Sequence, residues 1–583
     1  MTAPAEAPDE APADATADVP VLILGPLLRY VSDTAATIWV ETDRACQVQI
    51  LGRPTATFAV AGHHYALAVI DGLEPGHEYE YQVALDGTVR WPEPGSPFPA
   101  SVIRTLDPAR PLRMVFGSCR IAELNLARRW RRDRHEQDHG ADALGALALD
   151  LREAAPERWP DLLLLIGDQV YADEVGPATR TFIRERRDPA SPPGAEVKDF
   201  AEYCFLYREA WSEPAVRWLL SVLPSAMVFD DHDVHDDWNT SAAWRRDFQA
   251  KPWWRDRIDG AYMSYWLYQH LGNLSPDELA RDDLLRDVRK AAAQAGQAAQ
   301  TGEAAQANGA EAAALLRDFA RRADDDPAGI RWSYRRTFGR VRLVVIDARS
   351  GRVLEDSGKR QMVSDPEWQW VTESVTGDWD HVVLATSLPV LLAPGIHDVE
   401  AWNEAICAGA WGRRLAQAGE RIRRAGDLEH WAAFGRSFTA FERLLTGLAS
   451  GADGPVPASV SVLGGDIHHS YLAEVNLAAG VTAPARVFQL VCSPIHNLLP
   501  DNFRYLQRVV TSRAGGLIGA TLARLARVPA PQLSWRVTDG PWFSNMLATL
   551  TFDGRQARVR FDRSTTDPTR SPHLLAVHES DLS

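Results

Sequence analysis

Residues 230–237 read DDHDVHDD, five Asp and two His in eight positions. They follow the apolar run Ala226-Met-Val-Phe229, which reads as a buried strand. Carboxylates at that density repel one another unless a cation lies among them. The arrangement recurs along the chain. The apolar run 162–166 leads into Gly167-Asp168-Gln-Val-Tyr171, and the run 460–463 into Gly464-Gly465-Asp466-Ile467-His468-His469. A fourth run, 112–116, ends in Gly117-Ser118-Cys119. Four strand ends, each delivering a side chain able to ligate a metal, point to one metal site at the carboxyl edge of a sheet.

The residue types suit such a site. A glycine before Asp168 lets the chain turn off its strand and present the carboxylate, whose two oxygens can bridge two cations. Tyr171, three residues on, can reach back to the same point. A phenolate is a hard anionic donor that suits a trivalent ion such as Fe(III), and Cys119 would add a thiolate. Asp466 and His468 stand two apart, so a bend after Gly464-Gly465 could turn both inward; Asp231 and His232 come from the third strand end. Asp168, Asp231, Asp466, Tyr171 and Cys119 together carry five negative charges, matched by one trivalent and one divalent ion. Ionising all five without metal would be very costly. Within the acidic run, the choice of ligand among Asp231, Asp233 and Asp236 stays open. Arg120, Arg349 and Arg352 are candidates for gripping an anionic group at such a site, because a guanidinium fork matches oxyanion geometry.

The elements that must position these groups fall into two parts. From about residue 20 to 108 the text reads as short strands, with Thr37-Ile-Trp-Val-Glu alternating at period two and turns at Asp86-Gly87 and Glu74-Pro75-Gly76. The segment Asp71-Gly-Leu-Glu-Pro-Gly-His-Glu-Tyr-Glu-Tyr resembles the corner of a fibronectin-III-like sandwich. From Pro111 onward strands alternate with helical stretches, which predicts an α/β layered core over 109–583. Helices are expected over 125–150 and 200–223, the second closed by Pro224. Residues 291–314 are 13 Ala in 24, read as a helical or partly disordered insertion within about 275–325.

The bulk numbers exclude some classes. A net charge of −16 over 583 residues disfavours broad electrostatic binding to nucleic acid or an anionic membrane. Five scattered cysteines make no disulfide framework. The Ala-, Pro- and acid-rich residues 1–19 read as a disordered tail, with neither a secretory signal nor a membrane span in view, so the expected location is cytoplasmic. The oligomeric state is not legible.

Gly117-Ser-Cys119, Gly167-Asp-Gln-Val-Tyr-Ala-Asp173, Asp230-Asp-His-Asp-Val-His-Asp-Asp-Trp-Asn239 and Gly465-Asp-Ile-His-His469 occur in an order that resembles the PhoD-like alkaline phosphatase/phosphodiesterase family of calcineurin-like metallophosphoesterases. Arg335-Arg-Thr-Phe-Gly339 and Val345-Ile-Asp-Ala-Arg-Ser-Gly-Arg352 fit as well. The resemblance implies a four-layer metallophosphoesterase sandwich, two mixed β-sheets flanked by helices, behind the N-terminal all-β domain. It implies that Cys119 and Tyr171 hold an iron ion, that Asp168 bridges it to a second metal, often calcium, and that Asp231, Asp466 and His468 complete the shell. Magnesium, manganese or zinc could replace the calcium. His232 stands where the wider superfamily contacts phosphate or protonates the leaving group, with His235 as a second choice. The initial Asp-x-His of that superfamily is absent. The implied reaction is hydrolysis of phosphate mono- or diesters, with a metal-activated hydroxide attacking in line. A nuclease or a phospholipase-type diesterase would use the same site, and a non-catalytic partner-binding module with a degenerate site is the rival of another class.

Overall fold

Residues buried on both sides cannot show a clean in-and-out alternation, and this governs how the strands of the chain read. The computed structural model describes residues 19–122, 140–300, 309–355, 359–478, 483–498, 513–565 and 571–583. The N-terminal part is all β. Strands Leu22–Val31, Ala36–Thr42, His63–Ile70 and Phe58–Val60 form one antiparallel sheet in that order, and Arg53–Ala56, Gln47–Ile50, Val83–Leu85 and Thr88–Trp91 form another. Ser101–Arg104 pairs with Glu78–Tyr81. Ile38, Val40, Ala66, Val48, Ile50 and Val83 share the core between them. The backbone N–H of Glu74 donates to Tyr79 Oη at 2.7 Å, pinning the corner that the Leu73-Glu-Pro-Gly76 turn announces.

Strand Ala36–Thr42 is buried at every position, not at alternate ones. Its outward side chain Trp39 joins Leu24, Leu27, Tyr65 and Leu67 in a core shared with helices of the following domain. The buried guanidinium of Arg29 fastens the same face, donating to the carbonyls of Ser225, Tyr268 and Gln269. Helices Asp283–Gln300 and Ala310–Asp325 form the Ala-rich insertion, and Ala61 N–H donates to Gly309 O, so the described part of the insertion is helical and lies against the N-terminal sheet. Residues 301–308 of it, and almost all of the expected tail, lie outside the described residues.

Two sheets carry the second part. The first runs Ser225–Val228, Leu162–Ile166, Leu112–Gly117, Met546–Asp553, Gln556–Ser564, Leu574–Asp581; its first three strands are mutually parallel and the rest antiparallel. The second runs Tyr334–Phe338, Val341–Ile346, His381–Thr386, Ser459–Gly464, Arg486–Val491, Ser470–Asn476, Ser534–Trp542, with four parallel strands at its centre. Met114, Phe116, Leu164 and Ile166 of the first sheet pack with Leu343, Val345, Leu463 and Leu490 of the second. The opposite faces pack on helices: Leu163 and Leu165 beside Leu144 and Leu219, and Val344, Val382 and Val462 beside Phe441 and Leu445. A mixed α/β fold with an all-β region before it is therefore present.

Two helix expectations change. Residues 200–223 form two helices, Phe200–Trp211 and Pro214–Val222, because Pro214 cannot continue the first and instead starts the second, capped by Glu213 through the Val216 N–H. Of the stretch 125–150, residues 125–139 lie outside the described residues, and the helix that is seen is Ala143–Glu153, capped by Asp142. Among the described residues no helix is long and apolar enough to cross a membrane.

Candidate metal centre

Parallel strands end together, so both sheets deliver their following loops to one edge. The side chains that arrive there do so on unusual backbone. Cys119, Asp168, Asp466 and His468 have φ of 60°, 45°, 58° and 51°, a left-handed conformation that costs non-glycine residues and persists at sites the fold over-determines. Each lies within four residues of a strand end. Gly167 makes the turn at φ 120°, and a Cβ there would stand 2.5 Å from Asp230 Oδ2. Gly167→Ala should thus displace both Asp168 and Asp230. We expect activity to fall at least tenfold and stability by about 1–3 kcal/mol, read from turnover and urea unfolding; wild-type values in both would show that the turn tolerates a side chain.

Ligand atoms converge. One atom each from Cys119, Asp168 and Asp466 lie within 4.8 Å of one another, as do one each from Asp168, Asp230, Asp231 and Asp466. Asp231, His232 and Asp236 make a third such group. Tyr171 O–H donates to Asp168 Oδ2 at 3.2 Å, and Asn497 Nδ2 donates to Tyr171 Oη at 3.1 Å. Ser493 O–H donates to Cys119 Sγ at 3.2 Å. His468 Nδ1 lies 2.8 Å from the carbonyl of Asn497, which only accepts, so Nδ1 carries a proton; His468, expected as a ligand, belongs to none of the three ligand groups.

The electrostatics show what this cluster lacks. Burial, followed by Cys119 and other acidic neighbours, drives the Asp168 carboxyl well above the usual range. Burial with Asp230 and Asp231 does the same to Asp466. Burial lifts Asp230 to about 6 in spite of Arg349, and Cys119 to about 12. Tyr171 is likewise pushed well up by burial and Asp168. Asp168 Oδ1 and Asp230 Oδ2 are buried and accept no hydrogen bond among the described residues. Orphaned carboxylate oxygens beside a thiol and a phenol are a fit for hard cations, which would hold all of these groups in their ionised forms.

Arg349 places a cation among these carboxylates. Its Nε lies 2.5 Å from Asp230 and its Nη1 2.6 Å from Glu429, while Nη2 is 2.7 Å from Asp466 and 3.1 Å from Asp231. Burial opposes its charge, but these carboxylates hold it well above its ordinary value. Arg352 sits behind it, 3.1 Å from Glu429. Arg120 is engaged elsewhere, donating to Asp142 and to the Ala210 carbonyl. The forks expected to grip an anionic group are thus turned onto carboxylates and carbonyls of the scaffold.

The two histidines differ. His232 has Nδ1 at 3.0 Å from Asp173 and Nε2 at 3.6 Å from Asp236, and its ring lies 4.5 Å from that of Tyr171. Burial lowers its pKa, yet Asp173, Asp168 and Asp231 together carry it well above 6.5. His235 packs edge-on against Phe248 with ring centroids 4.6 Å apart, and Nδ1 donates to the Asp236 carbonyl. Burial leaves its pKa lowered, and it belongs to none of the three ligand groups. Glu429, Asn497 and Ser493 were not picked out from the sequence. Asn497 and Ser493 follow strand Arg486–Val491 and could have been found by the strand-end rule; Glu429 follows a helix and carries no such signal.

Comparison with known proteins agrees with this picture. Residues 149–289 match the family model for PhoD-like phosphatase, and residues 19–103 match a domain of unknown function, DUF7800. A solved structure of PhoD is similar with a TM-score of 0.55 at 13% identity, covering 97% of this chain and 91% of that one, a likeness of fold. A maltogenic amylase from S. marinus aligns at 10% identity over 95% of this chain and 79% of that one, with a TM-score of 0.16 that marks no common fold. Curated proteins gave no match.

Proposed function

We infer that this PhoD-like chain, with the family match and the fold now in hand, is a metal-dependent hydrolase of phosphate mono- or diesters. The observation that carries the reading is the meeting of Cys119, Asp168, Asp230, Asp231 and Asp466 at one sheet edge with buried carboxylate oxygens left unpaired. We read the second part as the four-layer metallophosphoesterase sandwich and the first as a fibronectin-III-like domain; the shared core between the two sheets and the helices on their outer faces support this.

Cys119, Tyr171, Asp168, Asp231, Asp466 and His468 would hold the metals; the thiolate and phenolate suit Fe(III), and the carboxylates suit a divalent ion such as Ca²⁺. Metal ions held by these residues would supply activation of a water and neutralisation of phosphoryl charge. The chain's own residues do the rest. His232, charged through Asp173 at Nδ1, is an acid able to pass its Nε2 proton to a leaving alkoxide. Asp173 keeps that ring oriented; burial alone would raise its carboxyl, but the charged His232 pulls it far down, so the pair is ionised while His232 holds its proton. Arg349 sits among Asp230, Asp231, Asp466 and Glu429, balancing part of the charge and fixing the ligands from below.

Purified protein should turn over p-nitrophenyl phosphate or bis-p-nitrophenyl phosphate, lose that activity to a chelator, and regain it with iron and calcium. Active protein should also show a visible thiolate- or phenolate-to-iron charge-transfer band that Cys119→Ser weakens. No turnover of either ester after metal loading would favour the partner-binding reading; full activity in colourless, iron-free protein would remove the iron assignment.

A further inference from the structure

Among the described residues, eleven large apolar side chains are exposed, and six of them sit on one group of helices. Leu517, Ile518 and Leu525, the three most open at 72%, 62% and 63%, lie on helix Arg513–Leu525. Leu415 and Ile422 lie seven apart, on one face of helix Arg413–Ala425. Trp411 lies just before that helix, its indole N–H donating to the carbonyl of Leu525, which joins the ends of the two elements. Helix Pro394–Cys407 packs against both.

Charge gathers at the same place. Arg413, Arg414, Arg421, Arg524 and Arg527 are exposed, and none has a carboxylate partner at ion-pair distance among the described residues, in a chain whose net charge is −16. Helix Arg513–Leu525 has no acidic residue, and Arg413–Ala425 has only Glu420, which is engaged with Arg423 and Ser241. Open aliphatic side chains rimmed by exposed guanidinium groups, of which Arg524 lies near Asp398, make an amphipathic surface of the kind that lies in a lipid interface.

We propose that the face formed by helices Arg413–Ala425 and Arg513–Leu525 docks this protein onto a bilayer surface rich in anionic phospholipid. Charge complementarity selects this occupant: the arginines meet lipid phosphates while Leu517, Ile518 and Leu525 enter the acyl boundary. A nucleic acid would be met by stacking aromatics along a basic groove, whereas among the described residues of this face Trp411 is the one exposed aromatic amid aliphatics. The overall acidity that disfavours broad membrane attraction does not bear on so local a surface. The face also borders the candidate centre by chain: four residues after helix Arg413–Ala425 stands Glu429, the partner of Arg349. The docking itself does not depend on what that centre hydrolyses.

Flotation of the full-length protein with vesicles tests this. It should rise with phosphatidylcholine vesicles containing about one-third phosphatidylglycerol at low salt, stay behind with phosphatidylcholine alone, and be largely released near 0.5 M salt. Each lost arginine should weaken partitioning roughly fivefold, so Arg414→Gln/Arg421→Gln should lose about 25-fold. Leu517→Ser/Ile518→Ser should also weaken it, by shortening the apolar contact. All four positions are exposed, so melting temperatures should match wild type. Failure to float with anionic vesicles, or variants that float like wild type, overturns the proposal. So does capture of duplex DNA or single-stranded RNA, in place of vesicles, that the arginine variant abolishes.

Discussion

Asp168→Asn should lower phosphoesterase turnover about a thousandfold, equivalent to ~4 kcal/mol of barrier, while leaving the fold in place. The carboxylate belongs to both ligand clusters, the one with Cys119 and the one with Asp230 and Asp231; Asp466 is shared as well, but its carboxylate is already engaged by Arg349. An amide keeps the shape but offers one neutral oxygen in place of two anionic ones, so a second cation loses its bridge. The metal-free protein should respond the other way. Asp168 is forced well up in pKa by burial and its acidic neighbours, so its ionised form opposes folding there, and a neutral amide removes that cost. Melting curves should therefore show the variant equal to or more stable than wild type after chelation, and less stabilised by added iron and calcium. The pH dependence follows in sign. Asp230, lifted by burial from 3.8 to about 6, stabilises the chelated fold fully below about pH 4, and that contribution is lost as pH rises through about 6. Unchanged turnover, or equal metal stabilisation in the two proteins, would refute a bridging Asp168.

Arg349→Met should destabilise the protein by about 3–5 kcal/mol, the usual cost of stranding buried carboxylates. The guanidinium is fully buried, and its three nitrogens reach Asp230, Glu429, Asp466 and Asp231 in different directions. Arg349→Lys should restore little of it, because an ammonium is a point charge that cannot span that fork. Urea unfolding reads the effect. If Arg349 served chiefly to hold substrate phosphate, as its position in the motif led us to expect, the midpoint would stay near wild type while KM rose, and the structural role would be wrong.

Strand ends were legible because their apolar runs are buried on both faces and stop at Gly-Asp, Gly-Ser-Cys or Asp-Asp. That signal led to Cys119, Asp168, Asp231 and Asp466, which the fold does bring together. What it could not show was which charges would be answered from within the protein. Glu429 reaches Arg349 from a helix connection with no motif, and Arg120 turns to Asp142 instead of the centre. The break at Ser212-Glu213-Pro214 was hidden by helical spacing that continues across it. Ala36–Thr42 read as half-buried since nothing local reveals that a second domain covers its outer face.

Cys119 and Asp466 stand 347 residues apart in the chain, and their side chains meet only after strand Ser459–Gly464 has joined the second sheet. A pocket built from such distant residues would be incomplete until both sheets have formed, so cation binding there would report assembly of the whole layered core and not of either sheet alone.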